Sequence, residues 1–146
     1  MNIRRGRLQD ATQIAELLRQ LDYAATVDFV EAKLSRLIRH LDAQLIVAVD
    51  GADRIIGFAS LHFIPQLGVE RDFCRISYFC VDQQNRSAGV GKRLEAAIVE
   101  AANQRQCDRI EVHCHASRSR AHSFYARQGY AEDPKYLLKR LNGRIH

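Results

Sequence analysis

Two glycines separated by one residue follow an apolar run in the middle of the chain, and a helical pattern follows them. The apolar run covers residues 76–81, and the glycines are Gly89 and Gly91. Glycine lets a backbone approach a ligand closely, and the first amides of a helix point outward without helical partners. Those amides and the positive end of the helix dipole favour phosphate groups. The feature predicts a strand, a loop and a helix start that bind a phosphate- or diphosphate-containing ligand.

The charge pattern is typical of a basic ligand pocket. Arg86 and Lys92 flank the glycine loop with positive charge. The net charge of +5 is spread over basic residues that are mixed with acidic ones, and no stretch alternates basic with aromatic residues. Nucleic-acid binding usually shows such clustering, so we expect no nucleic-acid partner.

Length and composition favour one soluble domain over residues 1–146, since 146 residues can bury a sizeable core. No apolar run approaches the roughly 20 residues that span a bilayer, and the N-terminus lacks the apolar core of a signal peptide. We therefore expect a cytoplasmic protein with no membrane association. The four cysteines contain no C-x-x-C pair, which favours reduced thiols over disulfides and predicts no metal site.

Apolar periodicity predicts an α/β fold with the order β-α-α-β-β-β-α-β-α-β. Asp10 and Asp28 are each followed three residues later by Gln or Glu, which predicts two capped helices. We expect a mixed central β-sheet with helices on both faces. The predicted buried stripes of the two helices are Ala11, Ile14, Leu17, Leu18 and Leu21, then Val30, Leu34, Leu37, Ile38 and Leu41.

Turn signals set the predicted strand pairing. Asp50-Gly51 separates strand-like residues 45–49 and 55–64, which predicts an antiparallel pair. Residues 74–81 and 108–115 flank the helix after the glycine loop, and such a strand-helix-strand unit should be parallel. Residues 136–141 are predicted as a last strand.

Two sequence blocks together resemble the GNAT superfamily of acetyl-CoA-dependent N-acetyltransferases. Residues 86–91, R-S-A-G-V-G, are similar to the family pattern Q/R-x-x-G-x-G/A. Residues 121–130, A-H-S-F-Y-A-R-Q-G-Y, are similar to the pattern A-x-x-F-Y-x-x-x-G-F/Y. The order and spacing of the blocks make the resemblance far more specific than one glycine loop. Among family members, the chain most resembles the small aminoglycoside-type and aminoalkylphosphonate-type enzymes.

The resemblance implies a GNAT-like fold, acetyl-CoA as co-substrate and a set of site residues. The strand before the loop should pair through its backbone with the pantetheine arm, and the fourth and fifth strands should splay apart to admit it. The loop should surround the pyrophosphate. Tyr125 takes the position of the family tyrosine that protonates the departing thiolate. The cofactor-binding residues implied in this way are Phe79, Cys80, Val81, Arg86, Ser87, Ala88, Gly89, Val90, Gly91 and Lys92.

The function implied is direct transfer of an acetyl group from acetyl-CoA to the primary amine of a small molecule. A neutral amine would attack the thioester carbonyl while a backbone amide near Cys80 polarises its oxygen. A protein N-terminus or lysine is the alternative acceptor, and a non-catalytic CoA-binding module is the alternative from another class. Family members often dimerise, and the sequence leaves a homodimer open.

The chain departs from the family pattern where the base is expected. Many members carry a glutamate near the end of the fourth strand, and Ser77 and Tyr78 take those positions here. His62, Asp72 or a water relay through Ser77 could replace it, and the sequence does not rank them. Arg118 stands where the family often has a pantetheine-contacting Asn, and Gln83 replaces the usual proline. Tyr23 lies between the first two helices, in a segment that lines the acceptor pocket in the family.

Overall fold

The computed structural model describes residues 1–113, 118–133 and 136–141. The chain forms two compact units, Met1–His113 and Cys114–His146. The first unit holds a five-stranded sheet and three helices, and the second holds one helix in its described part. None of the helices in these residues is both long and apolar enough to cross a membrane.

The sheet has the strand order β1-β2-β3-β4-β5. Every neighbouring pair is antiparallel except β4 and β5, which are parallel, so both pairing predictions are confirmed. The alternation of side chains along a strand separates the sheet into two faces. The strands are β1 (Asn2–Arg5), β2 (Ala43–Val49), β3 (Ile55–Ile64), β4 (Phe73–Val81) and β5 (Arg109–Val112).

Helices cover both faces of this sheet, as predicted. Helices α1 (Ala11–Gln20) and α2 (Val27–Arg39) share a buried cluster with the β2 and β3 side chains of one face, among them Val47 and Phe58. Helix α3 (Val90–Gln104) packs on the opposite face, where Leu94 and Ile98 are completely buried. We call these the α1/α2 face and the α3 face.

Asp10 stands at the N-cap position of α1 as predicted, but its carboxylate bonds elsewhere, and the predicted cap of α2 at Asp28 is wrong. The Asp10 carboxylate makes no capping bond with α1 and instead accepts from the Arg7 amide and the Arg4 guanidinium at 2.9–3.0 Å. Helix α2 is capped by Thr26, whose hydroxyl accepts from the Phe29 amide at 3.2 Å, and Asp28 lies inside the helix.

The predicted buried stripe of α2 is too long. Val30 and Leu34 are buried, whereas Ile38 is 47% exposed and Leu41 is 87% exposed. The helix ends at Arg39, and His40 is already extended, so helical spacing no longer positions Leu41. Ile38 lies about 100° around the helix from Leu37, at the edge of the buried stripe.

The second unit begins its described part with helix α4 (Ser119–Arg127). Gly129 follows it with a φ of 93°, a left-handed conformation that ends the helix as predicted. The strand predicted for residues 136–141 is wrong, because no ladder pairing is formed there. Apolar residues favour a strand only where a neighbouring strand supplies ladder hydrogen bonds. The predicted end of the fifth strand, Cys114 and His115, lies outside the described residues.

Candidate functional site

The loop between β4 and α3 has the backbone that its glycines predict. After Asp82 comes a short 3-10 turn, Gln83–Asn85, and then Arg86 to Ala88 lead to the helix. Gly89 precedes α3 with a φ of 81°, and Ser87 has a φ of 71°. A left-handed serine is uncommon, and two such residues so close together turn the chain sharply toward the helix.

The first turn of α3 contains backbone amides that have no partner within the helix. The first amide to bond within the helix is that of Arg93, which donates to the Gly89 carbonyl at 3.1 Å. The amides of Val90, Gly91 and Lys92 come before it, in the first turn where helical partners do not exist. Exposed Arg86 and Lys92 add positive charge. This arrangement can donate several hydrogen bonds to an anion such as a pyrophosphate.

Asp82 anchors the start of this loop. Its side chain is almost completely buried, and its oxygens accept from Gln20 on α1, from Asn85 in the turn and from Arg54 at 3.2–3.4 Å. Gln20 also accepts from the Gln83 amide at 3.0 Å. The end of α1 is therefore tied to the loop by hydrogen bonds that no local sequence pattern predicts.

Gly57 on β3 allows α3 to lie close to the sheet. A Cβ atom at this position would stand 3.0 Å from the Cys80 carbonyl oxygen and 3.0 Å from side-chain carbons of Leu94 and Val90. Because Val90 opens the helix, the absence of a side chain at Gly57 fixes where the first-turn amides lie. No turn signal in the sequence marks Gly57 for this role.

Among the described residues, the parallel pairing of β4 with β5 covers the first half of β4. The parallel ladder runs from Phe73 to Ile76, whereas β4 continues to Val81. Phe79, Cys80 and Val81 lie beyond this ladder, and the splayed arrangement expected for pantetheine stays a prediction, because residues 114–117 lie outside the described part of the chain. The Cys80 sulfur is buried and donates to the Leu17 carbonyl of α1 at 3.3 Å, so the thiol faces the core.

A bulge in β4 exposes the two residues where the family's carboxylate is absent. Ser60 pairs with Tyr78 and Leu61 with Ile76, so Ser77 is an extra residue between them. Ser77 and Tyr78 are the exposed residues of a strand that is otherwise buried or half-buried. The Tyr78 ring meets Tyr23 edge-on, with centroids 5.4 Å apart. Tyr23, which we expect on the acceptor side of the site, therefore lies next to the bulge.

His62 lies on β3 beside this bulge. Its Nδ1 is 2.9 Å from the Ser77 hydroxyl oxygen, and its ring is 6.3 Å from that of His40 in an edge-on arrangement. Burial, and secondly the nearby His40, lower the pKa of His62 below its usual value. Burial also raises the pKa of Tyr78, with a smaller contribution from Tyr23. His62 is therefore neutral at pH 7.

The remaining predicted residues are distributed over both units. Tyr125 belongs to the second unit, where it is buried on α4 and meets Phe124 and Tyr130 edge-on at centroid distances of 5.3 Å. Arg118 directly precedes that helix and is exposed. Asp72 precedes β4, and its carbonyl accepts from the Asp108 amide at 2.8 Å. The described residues bring no three metal-ligating side chains together.

Comparison with known proteins identifies the family to which this chain is similar. The pattern of the acetyltransferase (GNAT) family matches residues 11–130. The uncharacterized N-acetyltransferase YhfO of Bacillus subtilis is 26% identical, over 97% of both chains. Two solved structures share the fold. The glucosamine-6-phosphate N-acetyltransferase of Arabidopsis thaliana is 17% identical with a TM-score of 0.83, over 97% of this chain and 98% of that one. The ribosomal-protein-alanine N-acetyltransferase of Brucella melitensis is 18% identical with a TM-score of 0.80, over 97% of this chain and 100% of that one.

Proposed function

Because the chain belongs to the acetyltransferase (GNAT) family, whose members use acetyl-CoA, we propose that it transfers acetyl from acetyl-CoA to the primary amine of a small molecule. One observation carries this proposal in the structure. The amides of Val90, Gly91 and Lys92 form the first turn of α3, directly after a loop with left-handed residues at the end of β4, where a pyrophosphate would be held. We take residues 1–146 as one functional domain.

The cofactor would be bound by three neighbouring segments of the first unit. Arg86 to Lys92 would surround the pyrophosphate, with backbone donors supplying most of the bonds and two basic side chains the charge. Phe79, Cys80 and Val81 would pair with the pantetheine arm like an added strand, beyond the described part of the β4–β5 ladder. The thioester would then lie beside the β4 backbone.

Catalysis would combine positioning with proton transfer. A neutral amine attacks the thioester carbonyl, and a backbone N–H near Cys80 stabilises the developing oxyanion. Tyr125 donates its phenolic proton to the CoA thiolate that leaves. No acetyl-enzyme forms, so the buried Cys74 and Cys80 have no chemical role.

We favour a small amine as the acceptor, bound beside the exposed part of β4. Ser77 and Tyr78 are the exposed residues of β4, and the Tyr23 ring meets the Tyr78 ring edge-on. Aminoalkylphosphonates and aminoglycosides are the classes suggested by the sequence resemblance. The two structural neighbours act by name on a sugar phosphate and on a ribosomal protein, so the fold accommodates both acceptor classes.

Calorimetric titration with acetyl-CoA tests the cofactor site. Replacing Arg86 by Gln should weaken binding about three- to fivefold, because one exposed charge–phosphate contact contributes up to about 1 kcal/mol. Arg36→Gln is the matched control, since Arg36 is exposed on α2. Absence of acetyl-CoA binding in the wild-type protein would overturn the proposal.

An amine panel tests the reaction. The probes are 2-aminoethylphosphonate, glucosamine 6-phosphate, kanamycin, spermidine, tyramine and a lysine-containing peptide with a free N-terminus. Amine-dependent release of the CoA thiol, with the acetylated product seen by mass spectrometry, is the expected result. Turnover of the peptide alone would favour a protein acceptor. Tight acetyl-CoA binding without turnover of any amine would favour a CoA-binding module.

A further inference from the structure

The β4 bulge joins two side chains that the sequence leaves as separate candidates. Ser77 is the inserted residue, and without the bulge its side chain would not reach His62 on the neighbouring strand. The observed separation of 2.9 Å between His62 Nδ1 and Ser77 Oγ is a hydrogen bond. Ser77 is exposed at the acceptor side, whereas the His62 ring is half-buried behind it.

We propose that Ser77 and His62 form the proton relay that replaces the family's missing carboxylate. This inference rests on the proposed acetyl transfer and identifies how that site deprotonates its amine. Ser77 is the catalytic residue, because its hydroxyl meets the acceptor. His62 acts through Ser77 and holds the proton that is removed.

The transfer moves one proton and leaves each atom with its usual valence. The acceptor ammonium gives a proton to Ser77 Oγ while the Ser77 hydroxyl proton passes to His62 Nδ1. The ammonium becomes a neutral amine whose lone pair attacks the thioester, and His62 becomes an imidazolium. His62 then releases the proton to solvent. In the resting state Nδ1 accepts from Ser77, and the ring proton is on Nε2.

The groups around His62 keep the ring neutral before the reaction. His40 faces it from the end of α2, and the His40 Nδ1 accepts from the Asp42 amide at 3.0 Å. The Asp42 carboxylate is paired with Arg105 at 2.9 Å and does not serve as a counter-ion for His62.

The β4 neighbours of His62 are also neutralised. Arg75 is its register partner, and this guanidinium is paired with Glu111 on β5 at 2.6 Å. Tyr78 is uncharged at neutral pH, since burial raises the pKa of its phenol. Because the Asp42 and Glu111 carboxylates are both paired with arginines, burial dominates and His62 stays a neutral acceptor near pH 7.

The pH dependence of kcat/KM tests the relay, using the probe amine of the panel that is turned over fastest. The wild-type rate should fall with decreasing pH along a limb below pH 6.5, because protonated His62 accepts no proton. Ser77→Ala should remove that limb and lower kcat/KM about 100-fold at pH 7. Ser77→Thr keeps the hydroxyl and should retain the limb. The difference in kcat/KM between wild type and Ser77→Ala should shrink at high pH, where the amine is already neutral.

A second variant tests His62 directly. His40→Gln should move the acidic limb to higher pH, because it removes the neighbouring group that helps to lower the pKa of His62. His62→Gln should remove the limb. A limb unchanged in both Ser77→Ala and His62→Gln, with acetyl-CoA affinity preserved, would overturn the relay.

Nitrogen NMR of the free protein separates this inference from the proposed function. The imidazole of His62 should titrate below pH 6.5, with Nδ1 as the unprotonated nitrogen of the neutral ring, and Ser77→Ala should shift that Nδ1 resonance. A neutral ring protonated on Nδ1 would overturn the relay even if acetyl transfer occurs. Failure of acetyl-CoA binding would instead count against the proposed function.

Discussion

Gly57→Ala should loosen the packing of α3 on the sheet and weaken acetyl-CoA binding at the same time. The new Cβ would stand 3.0 Å from three atoms, whereas carbon contacts are optimal at about 3.5–4.0 Å. The Cys80 carbonyl belongs to the sheet, so we expect the helix start to move by about half an ångström to restore the contact distance. Overpacking of this kind costs about 1–3 kcal/mol, which lowers Tm by about 3–10 °C.

The same movement displaces the amide donors of Val90, Gly91 and Lys92. Losing about 1 kcal/mol from these bonds to phosphate corresponds to roughly fivefold weaker acetyl-CoA binding by calorimetry. Gly51→Ala is the control: its Cβ would meet nothing within 4 Å, so stability should stay within about 0.5 kcal/mol of the wild type. A Gly57→Ala protein with wild-type Tm and affinity would refute this reasoning.

Three further changes test other parts of the account. Tyr125→Phe should lower kcat by about 100-fold with acetyl-CoA affinity unchanged, because only the proposed proton donor is lost; unchanged turnover would remove that role. Asp82→Asn should lower the free energy of unfolding by about 1–3 kcal/mol and weaken acetyl-CoA binding, because the loop loses its buried acceptor. Wild-type acetyl-CoA affinity by calorimetry would contradict this. Arg4→Gln should lower the free energy of unfolding, measured in urea at pH 7, by about 2–3 kcal/mol, because the buried Asp10 carboxylate loses donors. A loss of the same size at pH 3 would contradict this role of the Asp10 carboxylate.

The pH dependence of the last change follows from the pKa of Asp10. Burial opposes ionisation, but the hydrogen bonds from the Arg4 guanidinium and the Arg7 amide outweigh it and hold this pKa below its usual value of 3.8. A lowered folded pKa stabilises the protein above pH 3.8, and that contribution is lost as the pH falls through the folded pKa. The wild-type advantage over Arg4→Gln should therefore shrink in acid.

The features that the sequence predicts well are those determined by neighbouring residues. The hairpin at Asp50-Gly51 and the loop at Gly89 follow from local turn chemistry and apolar alternation. Asp10 stands at the N-cap position but its carboxylate bonds to Arg4 and Arg7 instead of the helix, and Asp28 is preceded by Thr26, which caps α2. Local spacing carries no information about such competition.

The acceptor side of the site depends on strand register, which the sequence does not reveal. The bulge at Ser77 arises from how β3 and β4 pair, and it brings His62 to Ser77 across 15 residues of chain. The anchoring of Asp82 by Gln20 is equally non-local. These contacts become visible only when the folded sheet places separate segments side by side.

A crystal structure of the protein with bound acetyl-CoA is the most direct test of the central claim. We expect pyrophosphate oxygens about 3 Å from the amides of Val90, Gly91 and Lys92, with the pantetheine arm paired along Phe79 to Val81. A cofactor bound elsewhere, or with its pyrophosphate away from the start of α3, would contradict it.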